Sequence, residues 1–173
     1  MIKKRKICFV INSRANYGRV RLLIKQLKQK KNCEVKVVLG ASSLLYKFGN
    51  ISKYLKKDGI KRSAKFYSII EGEGLLTMTK TAGSTINELA NIFFNLKPDL
   101  VIVLADRYEN LPVAICASYM NIPLAHIQGG EVTGSIDEKV RHAITKLSDI
   151  HLVATERARN FVIRMGENPK NGF

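Results

Sequence analysis

Cysteine is scarce in this chain and poorly placed for bonding. Cys8, Cys33 and Cys116 are odd in number and widely spaced, and Cys8 and Cys116 lie in apolar runs where the thiol behaves as a small hydrophobe. Neither a disulfide framework nor a zinc site is indicated. Long apolar runs are missing as well. The basic start MIKKRK is followed only by ICFVI before polar NSR, too short for the apolar region of a signal peptide, and no run approaches the roughly 20 residues that span a bilayer. A cytoplasmic protein with no membrane partner is the expectation. The sequence also lacks internal repeats, low-complexity tracts, interdomain linkers and a GxGxxG loop, and no metal-ligand spacing stands out. No metal site is therefore favoured.

Acidic residues are few, and unevenly so. Against 29 Lys and Arg there are 14 Asp and Glu, for a formal charge of +15. Residues 1–66 hold 19 of the cations against only Glu34 and Asp58, while the remainder holds 10 cations against 12 acids. Most of the excess is lysine, with few interleaved aromatics and no recognisable nucleic-acid module. A solvated lysine face accounts for it; attraction of a phosphorylated ligand or an acidic surface is the functional alternative, and nucleic acid is not an expected partner.

What is present is one domain's worth of alternating strand and helix signals. At 173 residues, with 46% hydrophobic and 25% charged residues, the chain can bury one substantial core. Apolar runs at 6–11, 35–39, 66–70, 100–104, 123–127 and 150–154 read as strands, with 12–16 a polar loop. Helical periodicity marks a segment around Val20, Ile24 and Leu27 and further segments at 51–57, 75–96, 107–120 and 136–148, and one that Thr155 caps, running to about 165. Lys97-Pro98 ends the helix of 75–96, because the residue before proline disfavours helical geometry. An EGEG turn precedes that helix. The pattern predicts an α/β fold, a doubly wound, mainly parallel sheet of Rossmann-like type. The closing NPKNGF follows directly on a helix, which suggests a piece of a longer protein.

In open α/β sheets ligands bind at the carboxyl ends of the strands, and there the chain places its chemistry-bearing residues. The loop NSRANYGR joins the first strand to the first helix, where backbone amides and the helix dipole favour an anion; Arg14 and Arg19 add charge to it. Asp106 follows the run LVIVL, either as an acid, base or acceptor facing the crevice or as an N-cap. Arg107 binds phosphate or pairs with Glu109. His126 closes the next strand, as a hydrogen-bonded structural residue or a catalytic one. Glu131 and Asp137 lie on the glycine-rich segment QGGEVTGSIDE, making a multi-carboxylate site with Asp106 possible; repulsion within such a cluster lets one acid keep its proton while another acts as base. Asp137 and Glu138 also suit a helix's first turn. Arg141 and His142, one turn further, bind ligand or hold the carboxylates.

At these residues the chain resembles the N-terminal half of the hydrolysing UDP-N-acetylglucosamine 2-epimerases of the sialic-acid pathway type. SRANYGR is similar to that family's opening phosphate loop, KPDLVIVLADRYE to its first acid-bearing strand, and PLAHIQGGEVTGSIDEKVRHAITKLSDIHLVATERA to its longest signature. The resemblance implies one lobe, residues 1–173, of a two-domain glycosyltransferase-B-type fold whose C-terminal nucleotide-binding domain is absent from this chain. It implies elimination of UDP from UDP-N-acetylglucosamine to a 2-acetamidoglucal, then hydration to N-acetylmannosamine. Carried over by position, Asp106 and Asp137 match catalytic carboxylates, Arg14 and Arg107 phosphate or substrate contacts, and Arg19 the first loop's basic residue. Ala105 and Gln128 stand where the family often has glycine and glutamate. Glu131 takes over the missing carboxylate's role, or Gln128 only orients substrate. His126, Arg141 and His142 complete the expected substrate contacts. The resemblance further implies a homodimer or homotetramer, a UDP or GDP donor, and no metal or redox cofactor. A glycosyltransferase of the same architecture and a basic, non-enzymatic binding domain are the other two readings.

Overall fold

A computed structural model of the chain describes residues 3–49, 51–72 and 74–172. Met1 and Ile2 of the basic start, Asn50 in the segment before the second helix, Glu73 of the EGEG turn and the final Phe173 lie outside the described residues.

The apolar runs form strands because they are buried on both sides. β1 (Arg5–Ile11) sends Ile7, Phe9 and Ile11 to one face of the sheet and Cys8 and Val10 to the other; β4 (Leu100–Leu104) likewise divides Ile102 and Leu104 from Val101 and Val103. Strands covered on both faces read as unbroken hydrophobic stretches, as parallel sheets require. With β2 (Cys33–Leu39), β3 (Ala64–Lys65), β5 (Leu124–Ile127) and β6 (Ile150–Leu152) they form one six-stranded, all-parallel sheet in the order β3-β2-β1-β4-β5-β6. Helices α1 (Arg14–Gln29) and α2 (Ile51–Lys57) supply the core on the Phe9 face. Helices α3 (Leu75–Leu96), α4 (Leu111–Tyr119) and α5 (Ile136–Lys146) supply it on the Cys8 face. Burial pushes the Cys8 thiol up to about 12 and that of Cys116 to about 11, consistent with inert packing residues. Among the described residues no helix is long and apolar enough to cross a membrane.

Local signals hold at several helix ends. Lys97 terminates α3 in the left-handed conformation (φ 49°), its N–H donating to the Phe93 carbonyl, and the Thr155 hydroxyl accepts from the Ala158 N–H to cap α6 (Glu156–Arg164). Three expectations change. Helix α1 starts at Arg14, inside the expected polar loop, because Ser13 caps it by accepting from the Asn16 N–H (3.1 Å). Helix α4 starts at Leu111 rather than near residue 107, since Asn110 turns back to donate to the Leu104 carbonyl. The strand expected over 66–70 is confined to Ala64–Lys65: Phe66 fills the space above Gly40, where any Cβ would fall 1.9 Å from its ring, and α3 side chains then draw the segment off the edge, Thr85 donating to the Ser68 hydroxyl and Thr81 accepting from the Ile70 N–H. On the opposite face Asp58 joins α1 to the end of α2, accepting from Tyr17, Arg21 and Lys25 at 2.6–3.1 Å. Those bonds, Tyr17's foremost, lower its pKa to about 2.

Candidate functional site

The strand order reverses at β1 and β4. Beyond β1 the chain turns to α1 on one face, and beyond β4 to α4 on the other, so their loops part and leave a crevice. It encloses about 370 Å³ and is lined by Ser13, Arg14, Arg19, Ser42, Asp106 and Arg107 among others. The N-terminus of α1 opens onto it, adding donor N–H groups and the positive end of the helix dipole. A buried amide network fixes the three loops that meet there. Asn12 donates to the Glu109 carbonyl and the Asn110 side-chain oxygen (both 3.0 Å), and Ser42 donates to the Asn12 carbonyl (2.8 Å). Asn12 and Asn110 carry no signal in the sequence, since an Asn at a strand end looks like any turn residue until its partners, nearly a hundred positions away, are known.

Arg107 engages the buried Glu109 as a two-pronged fork, Nε to Oε2 at 3.1 Å and Nη2 to Oε1 at 2.9 Å. That bond chiefly raises its pKa, and Asp137, at the start of α5, is among the negative charges that add to the effect. Asp106 is no N-cap. Its carboxylate, 22% exposed, pairs with Arg141, whose side chain is 3% exposed. The other end of the Arg141 guanidinium donates to the Glu131 carbonyl, and Glu138 accepts from the Thr133 and Gly134 N–H groups (both 2.6 Å), which holds its pKa down. Arg141 and Glu138 thus frame the loop 131–134 from the first turns of α5. The Ser135-x-x-Glu138 spacing is a capping-box signal, but no box forms: Ser135 makes no side-chain cap, and Glu138 reaches past the Ser135 N–H to those of Thr133 and Gly134.

The expected site residues therefore separate. Arg14, Arg19, Asp106 and Arg107 line one crevice; Arg19 bonds across it to Gln128 (2.8 Å) and Arg141 lies under Asp106. Glu131 instead lines an adjoining cleft of about 820 Å³ between residues 130–133 and α6, and His142 stacks on Phe161 of that cleft at 5.0 Å. His126, expected as a substrate contact, is fully buried with both ring nitrogens engaged by protein, so it lies beneath the crevice rather than in it. Among the described residues no group of three or more His, Cys, Asp or Glu side chains is arranged to hold a metal ion.

Backbone strain collects at the same edge. Ala41, Ala105 and Gln128, which follow β2, β4 and β5, have φ of 47°, 60° and 65°, a region that costs a non-glycine residue about 1–2 kcal/mol. Ala105→Gly is accordingly expected to stabilise the chain by up to about 1 kcal/mol once glycine's larger unfolded-state entropy is deducted. An unchanged or lower midpoint in urea unfolding would count against the strain.

The profile of the UDP-N-acetylglucosamine 2-epimerases matches residues 25–173. The chain belongs to that family. A UDP-N,N'-diacetylbacillosamine 2-epimerase (hydrolyzing) of Legionella pneumophila is 36% identical over 169 residues, and a GDP/UDP-N,N'-diacetylbacillosamine 2-epimerase (hydrolyzing) of Campylobacter jejuni 33% over 173; each alignment covers nearly all of this chain (98% and 99%) and 45% of the relative. Among solved structures, the Neisseria meningitidis UDP-GlcNAc 2-epimerase bound to UDP-GlcNAc superposes with a TM-score of 0.85 at 21% identity, covering 97% of this chain and 45% of that one. The chain thus spans under half the length of the epimerases it matches. Its all-parallel Rossmann-like sheet is one lobe of their glycosyltransferase-B-type fold.

Proposed function

We propose that the whole protein is a hydrolysing nucleotide-sugar 2-epimerase and that residues 1–173 form its N-terminal lobe, the C-terminal nucleotide-binding lobe lying outside this chain. The observation that carries the reading is one accessible carboxylate, Asp106, set among Arg14, Arg19 and Arg107 at the switch point of a chain that is 36% identical to a hydrolysing 2-epimerase. In the proposed reaction a carboxylate removes the C2 proton of a UDP-linked 2-acetamido sugar, the C1–O bond breaks, and its electron pair leaves on the diphosphate. Water then adds across the resulting double bond, hydroxyl to C1 and a proton to C2 on the opposite face. Asp106 and Asp137 are the carboxylates assigned to these transfers, and Arg14 and Arg107 the diphosphate contacts. Glutamine cannot exchange a proton as a carboxylate does, so Gln128, held by Arg19, is assigned to orienting the sugar. Glu131, in the adjoining cleft, is not needed for the first step.

UDP-N-acetylglucosamine giving N-acetylmannosamine is the reaction to test first, with UDP-N,N'-diacetylbacillosamine and GDP-linked sugars beside it, since the names of the Legionella and Campylobacter relatives point to those. In deuterated water the whole protein is expected to release nucleotide without an acceptor and to leave deuterium at C2. Acceptor-dependent transfer would replace this reading with a glycosyltransferase. The 173-residue chain alone is expected to give negligible release, because the crevice has no opposite wall.

A further inference from the structure

A closed chain of contacts runs beneath the crevice. His126 Nε2 lies 3.0 Å from the carbonyl oxygen of Ala105, the left-handed residue just before Asp106, and its Nδ1 lies 3.1 Å from the hydroxyl of Thr145. Thr145 is one helical turn beyond Arg141 on α5, and Arg141 returns to the Asp106 carboxylate. His126 and Thr145 are both fully buried. A carbonyl oxygen only accepts, so Nε2 carries the ring proton. A neutral ring then leaves Nδ1 bare as an acceptor, and the single proton of the Thr145 hydroxyl is shared between it (3.1 Å) and the Arg141 carbonyl (3.0 Å). Gly129 closes the arrangement, since a Cβ there would come within 2.9 Å of both His126 Nδ1 and the Thr145 hydroxyl. Burial favours this neutral ring, pushing its pKa down to about 4.

We infer that His126 is a positioning residue: its Nε2–H holds the strained Ala105 carbonyl while Nδ1 ties the ring to α5, so that the Asp106 carboxylate and the Arg141 guanidinium meet in one fixed geometry. Its catalytic consequence rests on the reading above, but the geometry can be tested without turnover. In the 173-residue chain, a guanidinium held by Asp106 and the Glu131 carbonyl rotates slowly, and resolved Arg141 Nη resonances are expected in nitrogen-15 spectra. His126→Leu is expected to collapse them, whereas His126→Gln, which keeps an N–H near the Nε2 position, retains them.

In the whole protein His126→Leu is expected to lower kcat by about a hundred-fold with KM within about three-fold, the size expected when a reacting group is misplaced by an ångström. His126→Gln should recover at least about a tenth of the wild-type kcat if the N–H at that position is what matters. Should His126→Leu fail to fold, Thr145→Val, which removes the Nδ1 partner together with that hydroxyl's bond to the Arg141 carbonyl, is expected to broaden the same resonances and lower kcat by about ten-fold. Resolved Arg141 signals in a folded His126→Leu, or equal losses in the Leu and Gln variants, would overturn the positioning role. A wild-type whole protein that releases no nucleotide would overturn the epimerase reading instead and leave the resonance comparison to decide this one.

Discussion

Asp106→Asn is expected to reduce nucleotide release by the whole protein by at least about a hundred-fold, the lower end of what a positioned acid or base contributes. Asparagine keeps the shape and an oxygen acceptor for Arg141 but cannot exchange a proton. Arg141, 3% exposed, then lacks its counter-charge, so the variant is also expected to lose about 2 kcal/mol of stability, the scale of a hydrogen bond to a charged group. The loss of turnover should exceed anything a small unfolded fraction explains. Rates measured well below the thermal midpoint, with circular dichroism matching wild type, separate the two effects. Wild-type kcat in Asp106→Asn would remove Asp106 from the chemistry. Asp137→Asn offers the contrast: Asp137 is exposed on the first turn of α5, so its loss should affect turnover without a comparable cost in stability.

Mild acid should destabilise the lobe, with His126 as the main cause. Burial lowers its folded pKa to about 4, with proximity of His151 adding to the effect, whereas the unfolded histidine titrates near its ordinary 6.5. Between those values the unfolded chain binds a proton that the folded one does not. Stability from this group is therefore complete above about pH 6.5 and falls as the pH drops toward 4, by about 3 kcal/mol over the window. Below that, Asp58 acts with the opposite kind of shift. Its folded pKa is near 2 against 3.8, so its contribution holds above about pH 4 and is lost as the pH falls through 2. Urea unfolding at pH 7, 5.5 and 4 measures the first limb, and His126→Gln should flatten it. A slope unchanged in that variant would assign the acid sensitivity elsewhere.

The two expectations meet at one place in the molecule. A charged His126 would have to present a donor from Nδ1 to Thr145 as well as from Nε2 to Ala105 inside a fully buried pocket, and the carboxylate it aims is the one on which turnover is proposed to depend. Loss of activity and loss of stability should therefore set in over the same acid range.

Much of this architecture is written locally. LVIVL is a buried strand whatever surrounds it, because such a run must be covered on both faces. The periodicity of α3 and its stop at Lys97-Pro98 follow from helical geometry and from proline's clash with the residue before it. Thr155 caps α6 through a contact three residues long. The assignment of Arg14, Arg19, Asp106 and Arg107 to one crevice was legible as well, since residues at the carboxyl ends of adjacent parallel strands must share an edge. Where the expectation missed, a distant partner intervened. The segment after Lys65 leaves the sheet because Phe66 meets Gly40 and Thr81 and Thr85 of α3 take over its polar groups.

By itself, then, the sequence determined an α/β lobe with its cations and acids along one edge, because strand and helix periods and loop chemistry are settled by neighbours a few residues apart. Only the tertiary structure decided that His126 turns inward, that Glu131 faces a different cleft, and that Asp106 is claimed by Arg141, 35 positions later, and Arg19 by Gln128. Those choices depend on how far the chain ends of β4, β5 and α5 stand from one another once packed, a spacing that no local pattern encodes.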